Sequence, residues 1–403
     1  MPHFLYNLWN TYSAVGRIPR KVWVLGLTSF FTDVSTESIM SVFPVYLYYF
    51  LGLGAYGLGI VEGLAEFISS VLKGLSGPLV DRFWGRKKGA LFGYGLSTAF
   101  KSLFLLSTYL PGAAALKAVI AARLGDRLGK GIRTSPRDAM LASVEGEKGR
   151  IFGIHRAMDQ AGAVVGPLLA IPFLYAFGFR GVFAFALIPS VIAVLILGLG
   201  VPEEPRYGRR VPIIQTFRAA NWRYILGISV LSAGVFSIAF PLIAVFGESA
   251  RLLVDVRGRL TVVMLFFVLQ NVLYTASSYP FGRMLDALGP RNSLIVTAAF
   301  LLCMDLLVAS LGLGMFQVAL FVSLYGVFMA FFEVGRRAAT ALITEHGAYG
   351  QGMGIMHLSS GLSLLAGNTV FGYLWSRAPW MALAFSASMA ALSIPIFALS
   401  ARK

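Results

Sequence analysis

The sequence predicts an all-α membrane protein whose twelve transmembrane helices form two pseudo-symmetric six-helix bundles, and three observations lead there. Of its 403 residues 57% are hydrophobic and the mean hydropathy is +0.75, outside the range of soluble domains. Twelve apolar runs have the ~20 residues needed to cross roughly 30 Å of hydrocarbon. The two halves of the chain repeat one another weakly, at offsets near half its length.

Residues 1–21, MPHFLYNLWNTYSAVGRIPRK, lack the charged, apolar and small-residue order of a cleaved signal peptide. They read as an interfacial lead-in, with Trp9 and Tyr12 near headgroup level. The first span, 22–50, carries Asp33 and Glu37 four apart and so on one helical face. The second, 56–80, places Glu62 and Glu66 on one face, with Lys73 two turns beyond Glu66. Glu62 and Glu66 are expected either to line a cavity or to pair with Lys73 or Lys101, the latter in the third span, 89–108. The fourth, 112–133, ends in RLGDRLGKGIRTSPRD, where Arg123, Arg127, Lys130, Arg133/Thr134 and Arg137 recur at helical spacing as a basic stripe balanced by Asp126. Pro136 should stop that helix, leaving the later charges as cytoplasmic anchors.

The fifth span, 151–177, carries His155, Arg156, Asp159 and Gln160; the sixth covers 181–200. A polar link follows at 201–223, with three prolines and five arginines. The remaining spans are 224–247, 260–281, 292–313, 316–335, 350–375 and 379–400, with Asp305 in the ninth, Glu333 in the tenth and Arg336 just beyond it. An ionisable group in a span costs a few kcal/mol on insertion scales, about 3 at the helix centre, so each should face a cavity or a partner. Lys101 and Asp305, offset by 204, are expected to pair within their own bundles.

Lys and Arg number 34 against 18 Asp and Glu, a net charge of +16 that in a soluble protein would suggest nucleic acid. With a cytoplasmic N-terminus, 22 of the 34 fall on cytoplasmic loops and helix ends and only six on the other side. That asymmetry reports topology, with both termini cytoplasmic, and no nucleic-acid partner is implied. The single Cys303 leaves no disulfide or multi-cysteine metal site, and no cofactor is called for. GDRLGKG has three residues between its glycines where a phosphate loop needs four, and neither HExxH nor GxSxG occurs, so an enzyme is not expected.

The repeat locates the division. Leu25-Gly26 recurs as Leu226-Gly227 and Gly153-Ile154 as Gly354-Ile355, both at offset 201, and Gly166 matches Gly367. The expected units are residues 1–200, a linker at 201–223 and residues 224–403.

GPLVDRFWGRKK from Gly77 recurs as GRMLDALGPRN from Gly282. In the first copy Gly77, Asp81, Arg82, Gly85 and Arg86 combine close helix approach, a capping carboxylate and a basic cluster; Gly282, Asp286 and Gly289 repeat the frame. On these residues, twelve spans and a half-chain repeat, the chain resembles the major facilitator superfamily, whose loop signature is G-x-x-x-D-R-x-G-R-R. The second copy has the family spacing, and the first carries one extra residue between Asp81 and Gly85. RLGDRLG resembles the fourth-helix R-x-x-Q-G-x-G with Asp126 and Arg127 replacing Gln and Gly; GAVVGPLLA resembles the fifth-helix motif of drug antiporters, without its last glycines.

The resemblance implies a secondary transporter in which helices one, four, seven and ten line a central cavity. Proton-coupling candidates are Asp33, Glu37, Glu62, Glu66 and Glu333, with Asp33 first: a carboxyl whose charge is costly in the membrane links its protonation to the approach of an arginine or a substrate. Substrate-binding candidates are Arg123, Asp126, Arg127, Lys130, Arg156, Asp159 and Arg336, since planar guanidinium groups engage two oxygens of a carboxylate or phosphate. The stretches FTDVSTESIM, GLAEFISSVLKGLSG, RLGKGIRTSPRDAM and GIHRAMDQAGAVVGP resemble a bacterial branch that includes carboxylate-siderophore permeases. The expectation is a monomeric inner-membrane protein moving a small organic anion with protons across the bilayer; the alternative is a proton-coupled exporter of drugs or metabolites.

Overall fold

The computed structural model describes residues 19–83, 85–142, 144, 148–202, 222–311, 314–343 and 349–400. The lead-in with Trp9 and Tyr12, the central part of the link, and the side chains of Asp81, Arg82 and Asp286 lie outside the described residues. The described chain is helical throughout: α1 (Arg20–Met40), a short turn Phe43–Val45 running into a π-helical turn Tyr46–Phe50, α2 (Gly54–Phe83), α3 (Arg86–Ser107), α4 (Gly112–Ala142) and α5 (Lys148–Gly200). After the link come α6 (Trp222–Gly234), α7 (Ala239–Ser249), α8 (Val256–Leu311), α9 (Met315–Ile343), α10 (Tyr349–Arg377) and α11 (Pro379–Ala398). Eight segments among the described residues are long and apolar enough to cross a membrane.

The elements do not fall into twelve separate helices. The fifth and sixth expected spans run together in α5, bent at Gly178, and the eighth and ninth in α8, bent at Gly289. The first and seventh are each broken, at Ser41–Val42 and at Val235–Ile238. Nor does Pro136 end its helix: α4 continues through it to Ala142. An interior proline costs ~3 kcal/mol, and the turn that carries this one is tied to α2. Thr134 Oγ1 donates to the Lys130 carbonyl at 2.6 Å, and Ser135 Oγ donates to the Lys73 carbonyl on α2 at 2.7 Å.

The repeat has a physical meaning at its glycines. A Cβ on Gly166 would stand 2.4 Å from the Val34 carbonyl oxygen on α1, and one on Gly367 would stand 2.1 Å from the Ala233 oxygen on α6. At matching positions, α5 and α10 thus lie directly against the first helix of each half, an approach that only a missing side chain permits. Gly85 and Gly289, equivalent in the two loop motifs, hold φ of 79° and 76°, where an L side chain is strained. Arg86 in the first motif donates to the Ala139 carbonyl at 3.5 Å.

α1 packs on α5, α3 on α4 and α2 on α4; α8 packs on α9 and α11, and α6 on α10 and α11. α2 against α10 and α5 against α8 join the two sets. At the end carrying Phe50 and Ser249, called the far end, Tyr49 donates to the Ile243 carbonyl at 3.2 Å, and Arg257 Nη1 donates to the Tyr175 carbonyl at 2.5 Å. Phe246 lies against the rings of Tyr49 and Phe50, with centroids 4.9 and 6.3 Å away. These contacts join the two sets of helices at the far end. Arg20 and Trp222 mark the near end.

Candidate functional site

A cavity of about 740 Å³ lies between the two sets of helices. It extends from Pro44 and the α6–α7 break at mid-level to Lys73, Arg137 and Arg337 near the other end. Asp33, Glu37, Glu62, Glu66, Glu333, Arg123, Arg127, Lys130, Arg156, Asp159 and Arg336 all contribute to its lining. Asp126 does not. It turns away toward α3, where its Oδ1 accepts from Ser97 Oγ at 2.5 Å and lies 3.8 Å from Lys101 Nζ. Its other oxygen stands 3.3 Å from Arg127 Nη2, so Asp126 holds the stripe from behind rather than meeting a ligand.

The two leading arginines carry resident carboxylates. Arg123 donates Nε to Glu62 Oε1 at 2.8 Å and Nη2 to Glu62 Oε2 at 2.9 Å, a two-pronged pair whose members are 4% and 6% exposed. Arg127 Nη1 lies 3.6 Å from Glu66 Oε1. The second-span carboxylates therefore both line the cavity and pair, with α4 arginines and not with Lys73 or Lys101. Helical spacing put each pair on one face but could not say which neighbouring helix that face meets. Lys73 and Lys130 line the cavity without an ion pair to a described residue.

On α1 and α5, His155 Nε2 and Ser29 Oγ share a 2.8 Å hydrogen bond, a satisfied histidine. Arg156 donates to Asp159 at 2.6 Å and to Tyr274 OH on α8 at 3.0 Å, joining the two sets of helices. Asp33 on α1 and Asp159 on α5 both belong to the cavity lining, on helices packed against one another. On α9, Glu333 accepts from Arg336 at 2.5 Å and lies 2.7 Å from Arg337.

Sequence reasoning missed the neutral polar groups on the opposite wall. The chain unwinds over Val235–Ile238, and its freed backbone groups find side chains. Asn368 Oδ1 accepts from the Ser237 amide at 2.8 Å, Tyr325 OH donates to the Phe236 carbonyl at 2.5 Å, and Ser237 Oγ donates to Glu62 Oε2 at 2.8 Å. A lone Asn or Tyr in an apolar run was the only available signal. Lys101 does pair within its own set, with Asp126, while donating to Ser35 and Thr36 at 3.0 and 2.8 Å. Asp305 departs from expectation: it is fully buried, and among the described residues no cation pairs with it and neither carboxyl oxygen has a hydrogen bond of good geometry. Among the described residues no cluster fits a metal ion.

The family model for the Major Facilitator Superfamily matches residues 25–258. An uncharacterized MFS-type transporter of Methanocaldococcus jannaschii is 30% identical over 388 residues, covering 93% of this chain and 94% of that protein. The multidrug resistance protein MdtH of Photorhabdus laumondii is 24% identical over 370 residues, covering 85% and 86%. Among solved structures, the nucleoside transporter NupG superposes with a TM-score of 0.73 at 13% identity, covering 95% of this chain and 100% of that one. The human organic anion transporter MFSD10 gives 0.65 at 15% identity, with 94% and 100% covered. At such identities the structural likeness bears on the fold alone.

Proposed function

This chain belongs to the Major Facilitator Superfamily, and from that premise we propose that it imports a small organic anion together with protons by alternating access. It is a multi-pass membrane transporter of small molecules and not an enzyme. Within the proposal, α5 and α8 each cross the bilayer twice, about Gly178 and Gly289, and α6 with α7 crosses once, which gives twelve crossings. Residues 1–200 and 224–403 are the two bundles, both termini and the near end face the cytoplasm, and the protein works as a monomer in a bacterial inner membrane. The far-end contacts then make this an inward-facing state.

The observation that carries the anion reading is the charge of the lining. Nine Lys and Arg face seven Asp and Glu, and among the described residues Lys73, Lys130 and Arg133 are the lining cations without an ion pair. A polycarboxylate of the siderophore type balances that field, whereas a lipophilic cation adds to it. Proton coupling is assigned to Asp33, a lining carboxylate without an ion pair among the described residues, on a helix packed against α5, whose Arg156 reaches Tyr274 in the opposite set of helices. The likeness to MdtH favours a second reading, a proton-coupled exporter of drugs or metabolites.

Proteoliposomes separate the two. Under an inward proton gradient the first reading expects concentrative uptake of a ferric polycarboxylate such as ferric citrate, and expects Asp33→Asn to bind that solute but not accumulate it. Unchanged accumulation by Asp33→Asn overturns the coupling assignment, and extrusion of a cationic drug without carboxylate uptake favours the exporter.

A further inference from the structure

The pair Glu62–Arg123 is unusual for a binding site in that one edge of the arginine already holds a carboxylate. Glu62 presents to it the two oxygens, at 2.8 and 2.9 Å, that a carboxylate ligand would present. Among the described residues the buried Nη1 group of Arg123 has no hydrogen-bond partner, and the guanidinium lies 5.5 Å from the Phe43 ring centroid. Arg123 is therefore a carboxylate-binding group whose Nε/Nη2 edge is occupied from within while its Nη1 donors are spare.

Glu62 has a second duty. Its Oε2 also accepts from Ser237 Oγ, in the unwound stretch between α6 and α7. Ser237 is fastened to its own side as well: its amide donates to Asn368 on α10, its hydroxyl accepts from the Ala239 amide at 3.2 Å, and Phe236 next to it stacks on Phe371 with centroids 4.4 Å apart. The chain Arg123, Glu62, Ser237 thus runs from α4 through α2 into the other set of helices at the level of the cavity floor. Bonds to an ionised group are the stronger ones, and they are short-range, so swinging Glu62 off Arg123 also takes its oxygen away from Ser237.

We infer that Glu62 is a resident stand-in for the substrate: an incoming carboxylate replaces it on Arg123, and the same displacement cuts the Glu62–Ser237 tie between the two halves. Occupancy of the anion subsite is in this way converted into freedom of the broken helix to move. The specificity consequence is that a carboxylate, with two coplanar oxygens, competes on equal terms, whereas a solute with a single acceptor oxygen replaces only half of what it removes. The subsite rests on the anion reading above; the tie between the halves does not.

Two measurements on the full-length purified protein test these parts separately. Citrate binding, read by calorimetry, is expected to tighten about tenfold or more in Glu62→Gln, because the internal competitor loses its charge while its shape stays; unchanged or weaker binding overturns the displacement. The second measurement needs no ligand. With Cys303→Ser, spin labels at Ala113→Cys and Val254→Cys, both exposed at the far end on opposite halves, report its opening by pulsed dipolar spectroscopy. Ser237→Ala is expected to raise the ratio of long to short distances about tenfold, the effect of losing one hydrogen bond to a carboxylate; an unchanged distribution overturns the tie. If no anion binds any variant while Ser237→Ala still shifts the distances, the anion reading and the subsite fall and the tie stands.

Discussion

Asp126→Asn is the substitution for which the structure gives the sharpest expectation. Asp126 is 1% exposed and holds two cations, Lys101 at 3.8 Å and Arg127 at 3.3 Å, while accepting from Ser97. Lys101 is itself 1% exposed and has no other carboxylate within 4 Å among the described residues. Removing the charge leaves a buried ammonium supported, among the described residues, by the Ser35 and Thr36 hydroxyls. At an effective dielectric of ~20, one pair at this separation interacts by about 4 kcal/mol. That agrees with the ~3–5 kcal/mol for deleting one partner of a buried pair. At ~2 °C per kcal/mol for a large chain, the unfolding midpoint should fall by roughly 6–10 °C. Lys101→Met should cost less, because Asp126 keeps Arg127 and Ser97. In the double variant the loss should fall short of the sum by on the order of 1–3 kcal/mol, the coupling of the pair. Thermal unfolding in detergent, followed by tryptophan fluorescence, reads all three. A fall below about 2 °C for Asp126→Asn, or strict additivity, refutes the reasoning.

Three further outcomes follow from the same geometry. Among the described residues Asp305 pairs with no cation that its loss would strand, so Asp305→Asn should cost under ~1 kcal/mol in the same unfolding assay, in contrast to Asp126→Asn. A Cβ on Gly59 would stand 2.2 Å from the Asn368 carbonyl oxygen, backbone against backbone, where α2 meets α10. Gly59→Val should lower uptake in proteoliposomes at least tenfold, while Gly95→Ala, which meets open space, keeps most of it. Lys73→Gln and Lys130→Gln each remove a cavity cation without an ion pair, and each should weaken citrate binding about tenfold, a bond to a charged group being worth ~1.5–3 kcal/mol.

Much of this was legible in the sequence because the membrane makes it so. Charge inside an apolar run is costly enough that Asp33, Glu62, Arg123 and Glu333 stood out, and all four line the cavity. The pairing of Gly166 with Gly367 was visible as a repeat before its packing role was known. What stayed hidden depends on how helices face one another. Spacing placed Glu62 and Arg123 on faces of their own helices; only packing shows those faces opposed. The break at Val235–Ile238 has no proline to announce it, since its stability comes from Asn368 and Tyr325, more than eighty residues away. Pro136 misled in the opposite direction: a strong local signal for a helix end lies inside α4, at a turn that Ser135 ties to α2. The Lys101–Asp305 correspondence suggested symmetry in chemistry where the structure keeps it only in position.

The central claim, that the cavity takes organic anions, is tested most directly by charge movement on a solid-supported membrane. Purified protein in liposomes is exposed to rapid jumps of citrate, ferric citrate, other polycarboxylates and lipophilic cations, at matched ionic strength. Saturable currents are expected on the carboxylate jumps and should be lost in Lys73→Gln/Lys130→Gln. Currents evoked by the cations alone, with none from any carboxylate, would contradict it.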